Sequence, residues 1–168
     1  MTQTPLQVIV AEYHATCRDA LTELSEAELK WQPPAEMNPI GAILLHVISS
    51  EDMFLTTLAQ DKPSLYMDEG WRQRLRIKTI PMENYQGWWE EIAQVPFALS
   101  DIRAYMQEVQ ANTQTYIAHV ADADLNQTVS VFGGEQHVMN LIATVITHGS
   151  THIGEINTLR AIFKIGWR

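Results

Sequence analysis

Residues 147–160 read THGSTHIGEINTLR and place two histidines, His148 and His152, four positions apart. In an α-helix this spacing puts two side chains on one face, one turn apart. The pair falls in register with an apolar series that recurs every three or four residues: Leu141, Val145, Ile156 and Leu159. Histidine therefore stands where a core-facing leucine is expected. Two imidazoles in such positions each need a polar partner or a metal ion.

Three more segments upstream show the apolar periodicity of core-facing helices. The first runs from Leu6 to Leu24 and carries Cys17, whose thiol is expected to be buried and inert. The second is predicted to begin at Asn38 as N-cap, with Pro39 at the first helical position, and to reach Leu58. The third covers residues 96–120, and the helix with the histidine pair covers 137–163. Gly133–Gly134 between them indicates a turn in a short hairpin.

These four helices predict an all-α fold for residues 1–168 as a single domain, namely a four-helix bundle. The connection between helices 2 and 3 is long enough to cross the length of the bundle, so those two helices could run parallel. Within it, a short helix is predicted over 83–94. Two glycines inside the last helix, Gly149 and Gly154, indicate close approach by another helix or a ligand, because glycine is costly in a helix interior.

Two features of the 61–95 segment leave alternatives open. A basic run beside Trp71 forms either the lip of a pocket or a solvated loop: Arg72, Arg74, Arg76 and Lys78. The adjacent Trp88 and Trp89 either cover one end of the bundle or contribute to a dimer face.

The bulk composition indicates a soluble cytoplasmic protein. The formal charge of −9 argues against binding to a nucleic-acid backbone. No apolar run approaches the roughly 18–20 residues that span a bilayer, so no membrane partner is expected. The first residues lack the features of a signal peptide. A single cysteine excludes an intrachain disulfide and fits a reducing compartment.

A third histidine, His46, lies at the flank of the second helix's apolar stripe and could join His148 and His152 around one ion. Three imidazoles with an open position are typical of a catalytic metal site. The alternative is three histidines that are separately hydrogen-bonded in a polar layer. The other histidines, His14, His119 and His137, are interpreted as surface or capping residues.

Three stretches resemble the DinB/YfiT-like superfamily of metal-binding four-helix proteins, and the resemblance covers nearly the whole chain. They are LTELSEAELKWQPP at 21–34, GAILLHVISSE at 41–51 and HGSTHIGEINTLR at 148–160. The resemblance implies that His46, His148 and His152 are metal ligands and that the protein is a homodimer. This chain departs from the family pattern at three positions: Gly149, Thr151 and Glu155.

The activities that the resemblance implies are thiol-dependent transfer or isomerisation, or hydrolysis, on a small-molecule substrate. The expected cofactors are a divalent metal ion, zinc or nickel, and a low-molecular-weight thiol. Imidazole ligands alone do not select the metal, since they also suit iron and copper. Glu51 is a candidate general base or ligand-orienting residue, and Glu155 could orient a ligand or face solvent.

Two non-enzymatic readings remain open. One is a metal- or ligand-binding stress-response protein without catalysis, suggested by the departures at Gly149 and Thr151. The other is a metal-free structural dimer.

Overall fold

A computed structural model describes residues 3–34, 37–68, 70–81 and 83–166. The fold is mostly helical, as the sequence predicts. The long elements are α1 (Pro5–Thr22), α3 (Ile40–Glu51), α7 (Leu99–His119) and α9 (Val138–Ile165). Shorter helices are α2 (Glu26–Lys30), α4 (Leu65–Asp68), α5 (Trp71–Arg74), α6 (Tyr85–Ile92) and α8 (Asp122–Leu125). Two antiparallel strands, β1 (Thr128–Val131) and β2 (Gly134–His137), form the predicted hairpin.

The four long helices enclose one apolar core. Helices α1 and α3 each pack against both α7 and α9. The core is built from the inward residues of all four, and its fully buried members include Leu21, Ile43, Ile102 and Leu141. Cys17 is among the buried core residues, as expected.

Two contacts fix the relative direction of α3 and α7. Gly41, at the start of α3, lies against Phe97, just before α7. Glu51, at the end of α3, accepts a hydrogen bond from Thr113 in the second half of α7. The two helices therefore run in the same direction.

Helix α3 continues without a break into a π-helical segment, Asp52–Leu58. Segments of this kind are rare and occur frequently at functional sites. The stretch Ile40–Leu58 is long and apolar enough to cross a membrane by length and composition, but 83% of it is buried inside the protein. It is therefore a core helix, and it does not indicate a membrane protein.

Two details of the helix ends and glycines differ from the sequence predictions. Helix α3 begins at Ile40 with Pro39 as the N-cap, and no side chain caps it, so the Asn38 cap is wrong. A Cβ on Gly149 would overlap the Tyr13 hydroxyl, which confirms the close approach there. A Cβ on Gly154 would meet no described protein atom within 4 Å, so close approach by another helix is wrong at that position, and close approach by a ligand stays a prediction.

Candidate metal centre

The structure brings the three predicted histidines together. His46 lies in the middle of α3, and His148 and His152 lie one turn apart on α9, which packs against α3. One ring nitrogen from each lies within 4.8 Å of those of the other two. The Nε2 atoms of His46 and His148 are 3.0 Å apart. This three-histidine cluster could hold a metal ion.

The close approach of α9 to α1 at Gly149 positions the cluster. Gly149 directly follows His148, and its bare Cα faces the Tyr13 ring of α1. A larger residue there would overlap the Tyr13 ring, so either that side chain or α9 would have to shift. Gly149, one of the three departures from the family pattern, therefore has a packing role beside the cluster.

The surroundings favour the neutral imidazole at His46 and at His148. Burial, followed by the proximity of His148 and His152, lowers the pKa of His46 to about 3. Burial and the proximity of His152 also lower the pKa of His148. A neutral imidazole has a free nitrogen lone pair, which is the form that binds a metal.

Glu155 orients His152. Its Oε2 lies 2.8 Å from Nδ1 of His152, one turn earlier on the same helix. A carboxylate in this place fixes the proton on Nδ1 and leaves the Nε2 lone pair available, as in many metal-bound histidines. Of the two interpretations of Glu155 from sequence, the ligand-orienting one agrees with the structure.

Aromatic rings of α6 surround His46. The ring of Trp89 lies 5.1 Å from that of His46 between centroids, and those of Trp88 and Tyr85 lie 6.2 and 6.3 Å away. Trp88 is fully buried, and its indole nitrogen lies 3.3 Å from the Tyr66 hydroxyl. The two tryptophans therefore form a wall beside the three-histidine cluster, a role that neither sequence interpretation included.

His14 is not the surface or capping residue that the sequence predicts, because its side chain is completely buried. Its Nε2 lies 2.9 Å from Oε1 of Glu51, and its Nδ1 lies 3.2 Å from the amide nitrogen of Gln114. A pattern in the sequence could have revealed this burial: Val10, His14, Cys17 and Leu21 recur at helical spacing. His119 and His137 are exposed, as predicted.

Glu51 faces His14 rather than the three-histidine cluster. Its Oε1 also accepts a hydrogen bond of 2.7 Å from the Thr113 hydroxyl. Five residues separate Glu51 from His46, and at 3.6 residues per turn this spacing turns the two side chains to different faces of α3. The buried group of His14, Glu51, Thr113 and Gln114 is called the His14 cluster below.

A cavity of about 820 Å³ opens beside His46 and is called the His46 cavity. One wall is the helical face that continues from His46 along α3 and the π-helical segment: Ser49, Ser50, Met53, Phe54, Thr57 and Leu58. The lining also includes Tyr66, Tyr85 and Trp88, together with Phe132 of the hairpin, which is largely exposed.

The basic residues of the 72–78 run are absent from the described lining of this cavity. Arg74 instead pairs with Asp101 and stacks over the Trp71 ring, with its side chain about half exposed. Of the two sequence interpretations, the solvated one agrees with the structure, although Arg72 and Arg74 lie in α5 and not in a loop.

Comparisons with known proteins agree with this architecture. A solved structure, the crystal structure of a conserved protein from Enterococcus faecalis, is similar in fold, with a TM-score of 0.79. The two share 15% sequence identity over 92% of each chain. No curated protein matches this chain. The model of the DinB superfamily matches residues 12–156, which include all three clustered histidines. The chain therefore belongs to the DinB superfamily.

Proposed function

We propose that this protein is a metal-dependent enzyme that activates a low-molecular-weight thiol or a water molecule for attack on a small electrophile. The observation that carries the proposal is the three-histidine cluster, with its ligand atoms within 4.8 Å of one another. His46, His148 and His152 are the proposed ligands of a divalent ion, zinc or nickel. Three neutral ligands leave an ion its double charge and an open position, at which a bound water or thiol becomes more acidic.

The chain's own residues prepare this site. Glu155 holds His152 in the ligand tautomer, and burial keeps His46 and His148 neutral. Trp88 and Trp89 shield one side of the cluster from water, which strengthens electrostatic interactions inside it. The general-base role predicted for Glu51 is not part of the proposal, because that carboxylate is buried and shared by His14 and Thr113.

Elemental analysis of protein purified without an affinity tag or chelator tests the metal. We expect about one zinc or nickel ion per chain in the wild type and none in His148→Ala. The matched control is His119→Ala, which removes an exposed histidine of α7 and should keep the ion. No metal in the wild type after incubation with both ions would contradict the proposal.

Kinetics on the loaded protein test the reaction. A thiol transferase should accelerate conjugation of a low-molecular-weight thiol to a model electrophile, and His148→Ala should abolish the acceleration. A hydrolase should turn over esters, amides or lactones with a limb near pH 7 in its rate profile. Equal rates for wild type and His148→Ala in both assays would contradict an enzymatic role.

The alternative is a non-catalytic metal- or ligand-binding stress-response protein. It is favoured by Thr151, which departs from the family pattern, faces solvent and donates its hydroxyl to the Thr147 carbonyl. Under this alternative, a divalent ion would raise the melting temperature, and the loaded protein would turn over no substrate. A melting temperature that neither metals nor EDTA change would leave only a metal-free structural dimer.

Three further expectations belong to this proposal. They are a cytoplasmic location, a homodimeric state and a four-helix-bundle description of α1, α3, α7 and α9, with a crossover between α3 and α7. Size measurement by light scattering tests the homodimer, and a mass of one chain would contradict it.

A further inference from the structure

The His46 cavity has the dimensions of a small-molecule site. Its volume of about 820 Å³ falls within the roughly 300–1,000 Å³ of ligand pockets in proteins. The wall contributed by α3 and the π-helical segment begins at His46, a proposed metal ligand. A molecule in this cavity would therefore lie beside the three-histidine cluster.

The described walls of the cavity are apolar and carry no formal charge. They consist of aromatic rings, methionine, leucine, isoleucine and proline side chains, with a few hydroxyl groups and the imidazole of His46. Among these residues there is no carboxylate, ammonium or guanidinium group to pair with a charged ligand. Burying an unpaired charge is costly, so these walls favour an uncharged, apolar molecule.

Phe132 of the cavity lining has an unfavourable backbone conformation. It occupies the first position of the two-residue loop between β1 and β2, and both loop residues have positive φ, 47° for Phe132 and 82° for Gly133. Such a loop strongly prefers Asn-Gly, and a bulky residue with positive φ is uncommon.

The exposed ring of Phe132 indicates that the unfavourable backbone conformation serves a function other than core packing. The side chain is 78% exposed, so the core does not need it. The ring lies edge-on to that of Phe54 in the cavity wall, with centroids 6.2 Å apart. Strain of this kind is often found where a residue contacts a ligand.

We propose that the His46 cavity binds an uncharged, apolar small molecule and that Phe132 covers its mouth. The further assignment of this molecule as the enzyme's electrophilic substrate rests on the proposed function. A charged thiol cofactor, by contrast, would have to approach the cluster from outside this cavity.

A matched pair of dyes tests the proposal in full-length protein stripped of metal with EDTA. N-phenyl-1-naphthylamine is uncharged, and 8-anilinonaphthalene-1-sulfonate has the same ring skeleton with a sulfonate. In fluorescence titrations we expect saturable binding of one neutral dye per chain, at least about tenfold tighter than the sulfonate. Equal affinities, or no saturable binding of the neutral dye, would overturn the proposal.

Two variants locate the bound dye. Phe132→Asn removes the ring and supplies the residue that the turn prefers, so we expect dye affinity to fall about three- to tenfold while the melting temperature stays level or rises. Thr57→Trp fills the cavity from an exposed position and should abolish binding. The matched control Thr158→Trp places the same side chain on the exposed face of α9 and should bind like wild type. Wild-type affinity in both cavity variants would overturn the proposal.

The dye result and the metal result can fail separately. If the protein binds the neutral dye but takes up no metal, the proposal of an apolar ligand in the His46 cavity stands and the proposed metal-dependent enzyme is overturned. A loaded metal site without dye binding would keep the proposed enzyme and overturn the apolar substrate class.

Discussion

The His14 cluster and the three-histidine cluster use the same side chain in opposite ways. His14 is fully buried, and two protein groups, Glu51 and Gln114, occupy both of its ring nitrogens. The imidazoles of His46, His148 and His152 are only partly buried and lie against one another, and His46 also lies against the aromatic rings of α6. Among the residues that the structure describes, Glu155 is the one carboxylate hydrogen-bonded to them, and its contact is with Nδ1 of His152.

The difference separates a histidine whose partners are all supplied by the protein from one that could bind an ion. A buried polar group must have partners, and where the protein supplies all of them no lone pair remains for chemistry. Where the protein supplies too few hydrogen-bond partners and a cavity lies beside the group, an ion can act as the missing partner. Burial alone does not identify the functional histidine, since the most buried one is the structural one.

The largest effect should follow from breaking the His14 cluster. His14→Ala removes one of the two hydrogen-bond partners of the buried Glu51 side chain and leaves a cavity in the core, and together these losses cost about 3–5 kcal/mol. Urea unfolding of metal-free protein should therefore show a strong loss of stability. His119→Ala, the control on the same protein's surface, should change the free energy of unfolding by less than about 0.5 kcal/mol. A similarly small change for His14→Ala would remove the structural role.

Metal should stabilise the protein only through the three-histidine cluster. A ligand that binds the folded state alone contributes about 2.7 kcal/mol at 100 times its Kd. Thermal unfolding with and without zinc should show this gain in wild type and no gain in His148→Ala. An equal gain in His148→Ala would place the ion elsewhere.

Glu155→Gln should weaken the metal centre without destroying it. Loss of a partner that orients a ligand typically lowers metal affinity about 10- to 100-fold, or about 1.4–2.7 kcal/mol. Calorimetric titration with zinc measures this directly. The control is Glu135→Gln, which changes an exposed carboxylate of β2 and should bind as wild type does. Unchanged affinity in Glu155→Gln would mean that the carboxylate only faces solvent.

The smallest expected effect concerns the two glycines of α9. Gly154→Ala should stabilise the protein by about 0.5–1 kcal/mol, because a Cβ there meets nothing and alanine favours the helix. Gly149→Ala should have the opposite sign, because its Cβ would overlap Tyr13, next to His14. The two regions meet at this position. Denaturant unfolding measures both, and equal signs would contradict the close contact.

Local sequence patterns predicted the parts of the site that depend on one helix. The spacing of His148 and His152 and the apolar series around them placed both on the inner face of α9, and family resemblance added His46. The orientation of Glu51 could also have been predicted from the helical period, because side chains five positions apart point to different faces of a helix.

The parts that sequence reasoning missed depend on how distant segments meet. The pairing of His14 with Glu51 requires α1 and α3 to pack at one level, and the wall of Trp88 and Trp89 requires the path of a long connection. The π-helical segment follows helical residues with no break in composition, so nothing in the pattern marks it. The conformation of Phe132 could not be predicted because its positive φ is imposed by the turn and is not one that phenylalanine prefers.

The distance along the chain between the proposed ligands has a consequence for biosynthesis. His46 and His148 are 102 positions apart. During translation at about 5–20 residues per second, α3 leaves the ribosome several seconds before α9 exists. His148 and His152 alone offer an ion only two donors on a nascent helix. Loading of a three-ligand site must therefore wait until α9 has docked, so that the ion would report completed folding and could not direct its early steps.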